Sequence, residues 1–370
     1  MRTVAAALAA VTLVVGLGTP PAMAAARQPA TSDPAALLAG MTLRQEVGQL
    51  IMLGTSSKAV SARTGALIQQ YGLGGVVLID KTTAGVAGVA RVTAALQARA
   101  AVPLLVAADQ EGDQVQHLQG PGFSEMPSAV TMGRWTPSRV RASARTWAGQ
   151  MLRAGVNLDL APVLDTVPRA NRRTNQPIGR YDREFGFTPK QVTRHGVPFA
   201  RGLAAGGLAS SIKHFPGLGR VRGNTDVTSG VTDRVTTMTD PYLAPFRAGI
   251  RAGAPFVMIS TAIYARIDPH VPAIFSRRIV TTLLRDRLGF DGVVISDALS
   301  GAQVARYRPA ARAVRFLQAG GDIALTTSAS DVAPMSDALV ARAKASPAFR
   351  TLVDAAVLRV LTAKQAQGLL

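Results

Sequence analysis

Eight short apolar runs punctuate the chain, at Val47–Leu53, Gly75–Ile79, Pro103–Ala108, Leu158–Leu164, Ala209–Ile212, Phe256–Ser260, Gly292–Ser296 and Asp322–Leu325. Each is rich in Val, Ile or Leu and short enough for a strand buried on both faces. Longer stretches with helical character lie between them, among them Ser138–Ala154, Pro189–Ala205 and Ser276–Leu288. Thr136-Pro137 and Thr188-Pro189 read as helix starts, a hydroxyl cap followed by a ring that presets the first-turn dihedral. Glycine turns at Gly72-Leu73-Gly74-Gly75, Gly206-Gly207 and Gly320-Gly321 precede strands. Strand–helix alternation repeated eight times predicts an α/β fold, a parallel (β/α)8 barrel. An open doubly wound sheet would also satisfy the alternation, but no GxGxxG follows the first strand.

The barrel forms one expected domain over residues 35–370. Ahead of it, Arg2, the apolar run Val4–Gly18 and the small-x-small triplet Ala22-Met23-Ala24 read as an export signal over residues 1–24. Residues 25–34 read as a flexible leader. No later segment is apolar for long enough to span a bilayer. Cysteine is absent, which excludes thiolate metal sites and a cysteine nucleophile. The spacing of His, Asp and Glu matches no zinc or calcium site, and no phosphate-binding P-loop is present, so no cofactor is expected. The 41 Lys and Arg against 22 Asp and Glu leave a formal charge of +19. The arginines are scattered and aromatics are only 5% of residues, which argues against nucleic-acid binding. For an exported protein, attraction to anionic cell-wall polymers fits the charge better.

In such barrels the functional rim lies at the C-terminal ends of the strands. The third run ends in Asp109, the fourth in Asp165, the fifth in Lys213-His214 and the seventh in Asp297. Four polar strand ends converging on one rim favour a hydroxyl-rich ligand. Carboxylates accept from adjacent sugar hydroxyls, while lysine, arginine and histidine donate back. Asp109, Lys213 and His214 suit that task. Glycoside cleavage also needs two acid–base groups flanking the anomeric carbon. Asp297 is the best candidate nucleophile, because it ends a very apolar strand, and Lys213 or Arg183 would keep it ionised.

These residues sit in segments that resemble the family 3 glycoside hydrolases, in their single-barrel bacterial β-N-acetylhexosaminidase branch. The matching segments are MTLRQEVGQLIM, YGLGGVVLI, DQEG, NLDLAPVLD, the RxFG of DREFG, KHFPGLG and LGFDGVVISD, in family order from about Ala35 to Leu370. The resemblance implies a retaining mechanism through a covalent glycosyl-enzyme on Asp297. It implies sugar contacts by Asp109, by the pair Lys213 and His214, and by Arg183, with Arg180 a weaker substitute. Terminal N-acetylglucosamine-like sugars of cell-wall glycans or chitin fragments would be the substrate class.

Three departures mark this chain. The family's KHFPGHG loop carries an Asp-x-His acid/base, but here Leu218 stands between the glycines and no histidine follows in the loop. His117 takes the place of a substrate-binding arginine. Ala298 replaces the second aspartate after Ser296. Asp226 is the carboxylate nearest the place of the missing acid, with Asp233 second. Two alternatives stay open: a catalytically impaired barrel that binds envelope saccharides, and a phosphorylase using an anion site near Arg220 and Arg222. Of the remaining polar residues, Glu111 reads as an orienting or rim charge, His270 as a surface-loop residue and His195 as an exposed helix residue. Tyr181 and Tyr264 are candidates for stacking on a pyranose or for ordinary packing.

Overall fold

The computed structural model describes residues 33–370. The expected export signal lies outside them, as does the leader apart from its last two residues. The strands are β1 (Ile51–Thr55), β2 (Gly75–Leu78), β3 (Leu105–Ala108), β4 (Leu158–Asp159), β5 (Ala209–Phe215), β6 (Phe256–Ile259), β7 (Val293–Ser296) and β8 (Ala324–Thr326). They hydrogen-bond in the order β7-β6-β5-β4-β3-β2-β1-β8, and every pairing is parallel. A parallel bridge between Ile295 and Ile323 joins the two ends, with Ser296 N–H donating to Ile323 O at 3.0 Å. The sheet is therefore a closed (β/α)8 barrel.

All eight apolar runs contribute a strand, but their edges moved for local reasons. Val47 to Gln49 belong to helix Leu43–Gln49. A capping box starts that helix: Thr42 Oγ1 accepts from Gln45 N–H, and Gln45 Oε1 accepts from Thr42 N–H at 2.8 Å. The first strand consequently begins only at Ile51. The fourth run gives a two-residue ladder, then regains the sheet at Val163, which bridges Lys213. The fifth strand is longer than its apolar part and carries Lys213 and His214 within it. Helices Pro137–Arg153 and Pro189–Ala205 form where expected, each with its threonine cap and proline in the first turn. The segment Arg278–Arg287 is helical too, but wound as a π-helix, a distinction apolar spacing does not resolve. Gly48 shows how tightly helix Leu43–Gln49 meets the C-terminal end of the next helix, Ala62–Tyr71: a Cβ there would lie 1.9 Å from Tyr71 O.

Where β7 meets β8, Asp322 is fully buried and organises the seam. Its Oδ2 accepts from Val294 N–H and Arg285 Nη2, each at 2.7 Å, and its Oδ1 accepts from Arg359 Nε at 2.9 Å and Nη2 at 2.7 Å. One carboxylate thus ties a strand, the π-helix and the C-terminal helix Pro347–Ala366 together. Among the described residues no helix is long and apolar enough to cross a membrane. Replacing Asp322 with Ala strands two partly buried guanidinium groups and a strand N–H. We expect a loss of about 3–5 kcal/mol, read from urea denaturation at neutral pH.

Candidate active site

The strands end with their C-terminal edges on one rim, and a cavity of about 660 Å³ opens there. Asp109, His117, Arg183, Lys213, His214, Asp226 and Asp297 all line it. These are the seven residues expected from the sequence to make a site. They come from β3 and its following hairpin, β5, β7 and two long loops.

The floor of the cavity is a charge network centred on Glu111. Glu111 is 5% exposed and takes two parallel bonds from Arg183, Nε to Oε2 and Nη2 to Oε1, both at 2.7 Å. Arg183 Nη1 donates onward to Pro177 O at 2.7 Å. Lys213 Nζ reaches Glu111 Oε1 at 2.7 Å and also bonds Asp109 Oδ1. Burial works against every charge here, and pairing outweighs it. Lys213 is pushed down by burial, yet Asp109 and Glu111 hold its pKa above the ordinary lysine value. Burial pushes Asp109 up, but Lys213 and then His117 bring it below the usual carboxylate range. Glu111 is likewise raised by burial and lowered further by Arg183 and Lys213. Two acids and two bases thus stay ionised in a site that would neutralise any of them alone. Glu111 is an orienting residue, not a rim charge.

Under this network lies Asp159, fully buried, accepting from Gln110 N–H at 3.1 Å. Burial drives its pKa well above the carboxylate range. Nothing in the pattern of an apolar strand singled it out.

His214 is set by Asp165. Asp165 Oδ2 lies 2.7 Å from His214 Nδ1, while Oδ1 accepts from Leu218 N–H at 2.7 Å and from His214 N–H at 3.2 Å. A carboxylate that accepts two backbone bonds is an acceptor toward the ring as well. The proton therefore sits on Nδ1, leaving Nε2 for a ligand. The KHFPGLG turn also folds down on the loop before Arg183. Asn175 Nδ2 donates to Leu218 O at 2.7 Å and Val221 O at 2.8 Å, and Asn175 Oδ1 accepts from Ile178 and Gly179 N–H. Gly219 permits this approach, since a Cβ would lie 1.8 Å from Thr166 O. Leu218 faces the cavity where the family's histidine is expected.

Three carboxylates line the cavity, and they differ in what holds them. Asp109 is paired with Lys213. Asp297 follows β7, its N–H donating to Ile259 O at 2.9 Å and its Oδ1 accepting from Ala298 N–H at 2.8 Å. It has no salt bridge among the described residues. Asp226 sits in a turn in which Asn224 Oδ1 accepts from Asp226 N–H at 3.0 Å, so Asn224 is the capping side chain. The Asp226 carboxylate has no hydrogen-bond partner among the described residues and remains open to solvent. The cavity walls still crowd it. Desolvation first, then the charge of Asp297, raise its pKa to about 6, against the opposite pull of His214 and Arg183.

Other expected residues lie elsewhere. Asp233 is buried and accepts from Val235 N–H, Thr236 N–H and Thr236 Oγ1 at 2.7–2.8 Å, a turn-capping role away from the cavity. Tyr264 is fully buried and donates to Gly217 O at 2.9 Å, so it packs rather than stacks on a ligand. Tyr181 stands exposed in the cavity wall. Arg180 and His270 are exposed and outside it. His195 is buried, contrary to expectation, because Gln191 O and Trp135 O engage its two ring nitrogens at 2.9 and 3.2 Å. Arg220 and Arg222 line a separate hollow. Arg220 is already engaged by Asp240 at 2.7 Å and stacked on Tyr242. Among the described residues no cluster of three or more His, Cys, Asp or Glu could hold a metal ion.

A closed barrel with a cationic and carboxylate-lined rim of this kind is the framework of a glycosidase. Residues 42–363 match the glycosyl hydrolase family 3 N-terminal domain, and the chain belongs to that family. The crystal structure of a β-N-acetylhexosaminidase from Beutenbergia cavernae is 47% identical. It superposes with a TM-score of 0.86 over 88% of this chain and 98% of that one. A family 3 β-N-acetylglucosaminidase from Paenibacillus is 30% identical with a TM-score of 0.80, covering 89% of this chain and 63% of that one. A β-hexosaminidase of Xylella fastidiosa is 33% identical over 318 residues, 84% of this chain and 92% of its own length.

Glu111→Gln removes one charge from the centre of the network and one acceptor from the Arg183 fork. Arg183 and Lys213 then shift, and a displacement near 1 Å costs about 10²-fold in rate. We expect kcat/KM on an aryl N-acetylglucosaminide to fall by about that factor, with the melting temperature recorded beside it.

Proposed function

We propose that this protein is an exported, retaining β-N-acetylhexosaminidase that removes terminal N-acetylglucosamine-like sugars from cell-wall glycans or chitin fragments. The carrying observation is that Asp226 and Asp297, alone among the cavity carboxylates, lack a cationic partner and act on each other electrostatically. A cavity carboxyl whose pKa is raised beside a second, unpaired carboxylate suits paired acid–base work. The names of the relatives support the choice of sugar. The N-terminal sequence supports export, and the charge of +19 supports residence near anionic cell-wall polymers.

In this mechanism Asp109, Lys213, His214 and Arg183 take the hydroxyls of the terminal sugar. His117 stands in the same wall and donates to it. Asp297 attacks the anomeric carbon from one face. Protonated Asp226 gives its proton to the departing glycosidic oxygen, so the C–O bond breaks as the ester to Asp297 forms. Asp226, now a carboxylate, takes a proton from water, and that water displaces Asp297 with net retention. A general acid must hold its proton before the step. Activity is therefore present below the pKa of Asp226 and lost as pH rises through it.

The test uses the mature protein with aryl and alkyl β-N-acetylglucosaminides. kcat/KM on the alkyl glycoside should fall above about pH 6. Asp226→Ala should cost about 10²–10⁴-fold on that substrate, and Asp297→Ala should abolish turnover of both. Saccharide binding without turnover in the unaltered protein would replace this reading with that of an impaired, sugar-binding barrel. Turnover that requires phosphate would make it a phosphorylase.

A further inference from the structure

Gln303 is 5% exposed and lies in the short helical turn Ala302–Val304, just beyond Asp297. It grips the segment that carries Asp226 at two points. Its N–H donates to Thr225 O at 3.1 Å, next to Ala302 N–H, which donates to Asp226 O at 2.9 Å. Its side chain then closes a ring on Val231: Oε1 accepts from Val231 N–H at 2.9 Å, and Nε2 donates to Val231 O at 3.2 Å. Gly301 lies flat against the same segment, where a Cβ would meet Thr225 O at 3.3 Å and the Asp226 Cα at 3.5 Å. Between these anchors the loop has little else to hold it. Val227 is 75% exposed, and the N–H groups of Val227 and Thr228 bond only locally, to Asn224 O. The turn itself is fixed from behind. Leu299 N–H donates to Leu325 O at 2.8 Å, and Arg312 Nη1 donates to Leu299 O at 2.7 Å.

We propose that Gln303 is a positioning residue: it binds the Asp226 loop to the turn that carries Asp297, so that the two carboxyls keep a fixed separation across the cavity. The proposal rests on the acid/base reading above. Its physical content is that loop and nucleophile turn behave as one rigid piece, joined by backbone and side-chain bonds rather than by a ligand. The charged groups that face Asp226 are Asp297 and Asp109, which favour its proton, and His214 and Arg183, which oppose it. Freeing the loop admits water and weakens the influence of Asp297, so the Asp226 carboxyl would titrate lower.

The experiment compares Gln303→Ala, Gln303→Glu and Asp226→Ala with the unaltered chain. Each is assayed on an alkyl and on a dinitrophenyl β-N-acetylglucosaminide, with hydrogen exchange followed in residues 224–231. For Gln303→Ala, kcat/KM on the alkyl glycoside should fall about 10–100-fold. On the dinitrophenyl glycoside it should change by no more than about threefold, because a good leaving group departs without a proton. The upper limb of the pH profile should move to lower pH, and the Val231 amide should exchange faster. Gln303→Glu keeps the acceptor for Val231 N–H and should lie between. Equal losses on both substrates, an unmoved pH limb or unchanged exchange would overturn the positioning role. If Asp226→Ala spares the alkyl glycoside, the acid assignment itself fails and the proposal falls with it. If Asp226→Ala is selective and Gln303→Ala is not, only the role of Gln303 is lost.

Discussion

Closure of the barrel fixes where every functional group stands. Eight parallel strands sharing one ring of hydrogen bonds must all present their C-terminal ends to the same side. The ring meets itself between Val293–Ser296 and Ala324–Thr326, and there Asp322 accepts a strand N–H and draws in two arginines from different helices. Asp297, the residue after β7, is held from the other edge of that strand, where its N–H donates to Ile259 O of β6. Lys213 takes its position from β5, two strands from β7, and Asp109 from the end of β3, two strands further round the ring. No local motif brings these residues together; the circumference does.

On that rim the polar groups divide into those that are spoken for and those that are not. Glu111 satisfies Arg183 and Lys213, Lys213 also satisfies Asp109, and Asp165 satisfies His214 and the turn behind it. Groups so engaged are held in place and suit recognition of a neutral polyol. Asp226 and Asp297 are left with backbone and solvent. Burial and the neighbouring Asp297 raise the pKa of Asp226, so this carboxyl is the one on the rim poised to carry a proton.

The sequence was informative where physics acts along the chain. Apolar runs of five or so residues marked all eight strands, because a strand covered on both faces has no use for polar side chains. A charged residue just past such a run then had only the rim to go to, which is why Asp109, Asp165, Lys213, His214 and Asp297 were visible. Edges were harder. Val47 continues the apolar character of β1 but belongs to a helix, since the Thr42 and Gln45 caps commit that turn first. Side chains whose work is to bond distant backbone left no trace. Asn175, Gln303 and the histidine at 195 have polar residues' ordinary composition and spacing, and only the folded chain shows that Leu218, Val231 and Trp135 are their partners. The separate functions of Asp226 and Asp233 were equally hidden, because a loop aspartate that caps a turn and one that faces a cavity look alike in one dimension.

The floor network has one further consequence. Glu111 and Asp109 carry two negative charges, and Arg183 and Lys213 two positive ones, so the surface that would meet a pyranose is locally neutral in a chain of formal charge +19. The arginine excess therefore lies outside the grip. Dissolved ions screen the field of exposed charges, but they have little hold on buried, mutually cancelled ones. Ionic strength would thus alter the protein's outer field and leave almost untouched how firmly the floor network holds together.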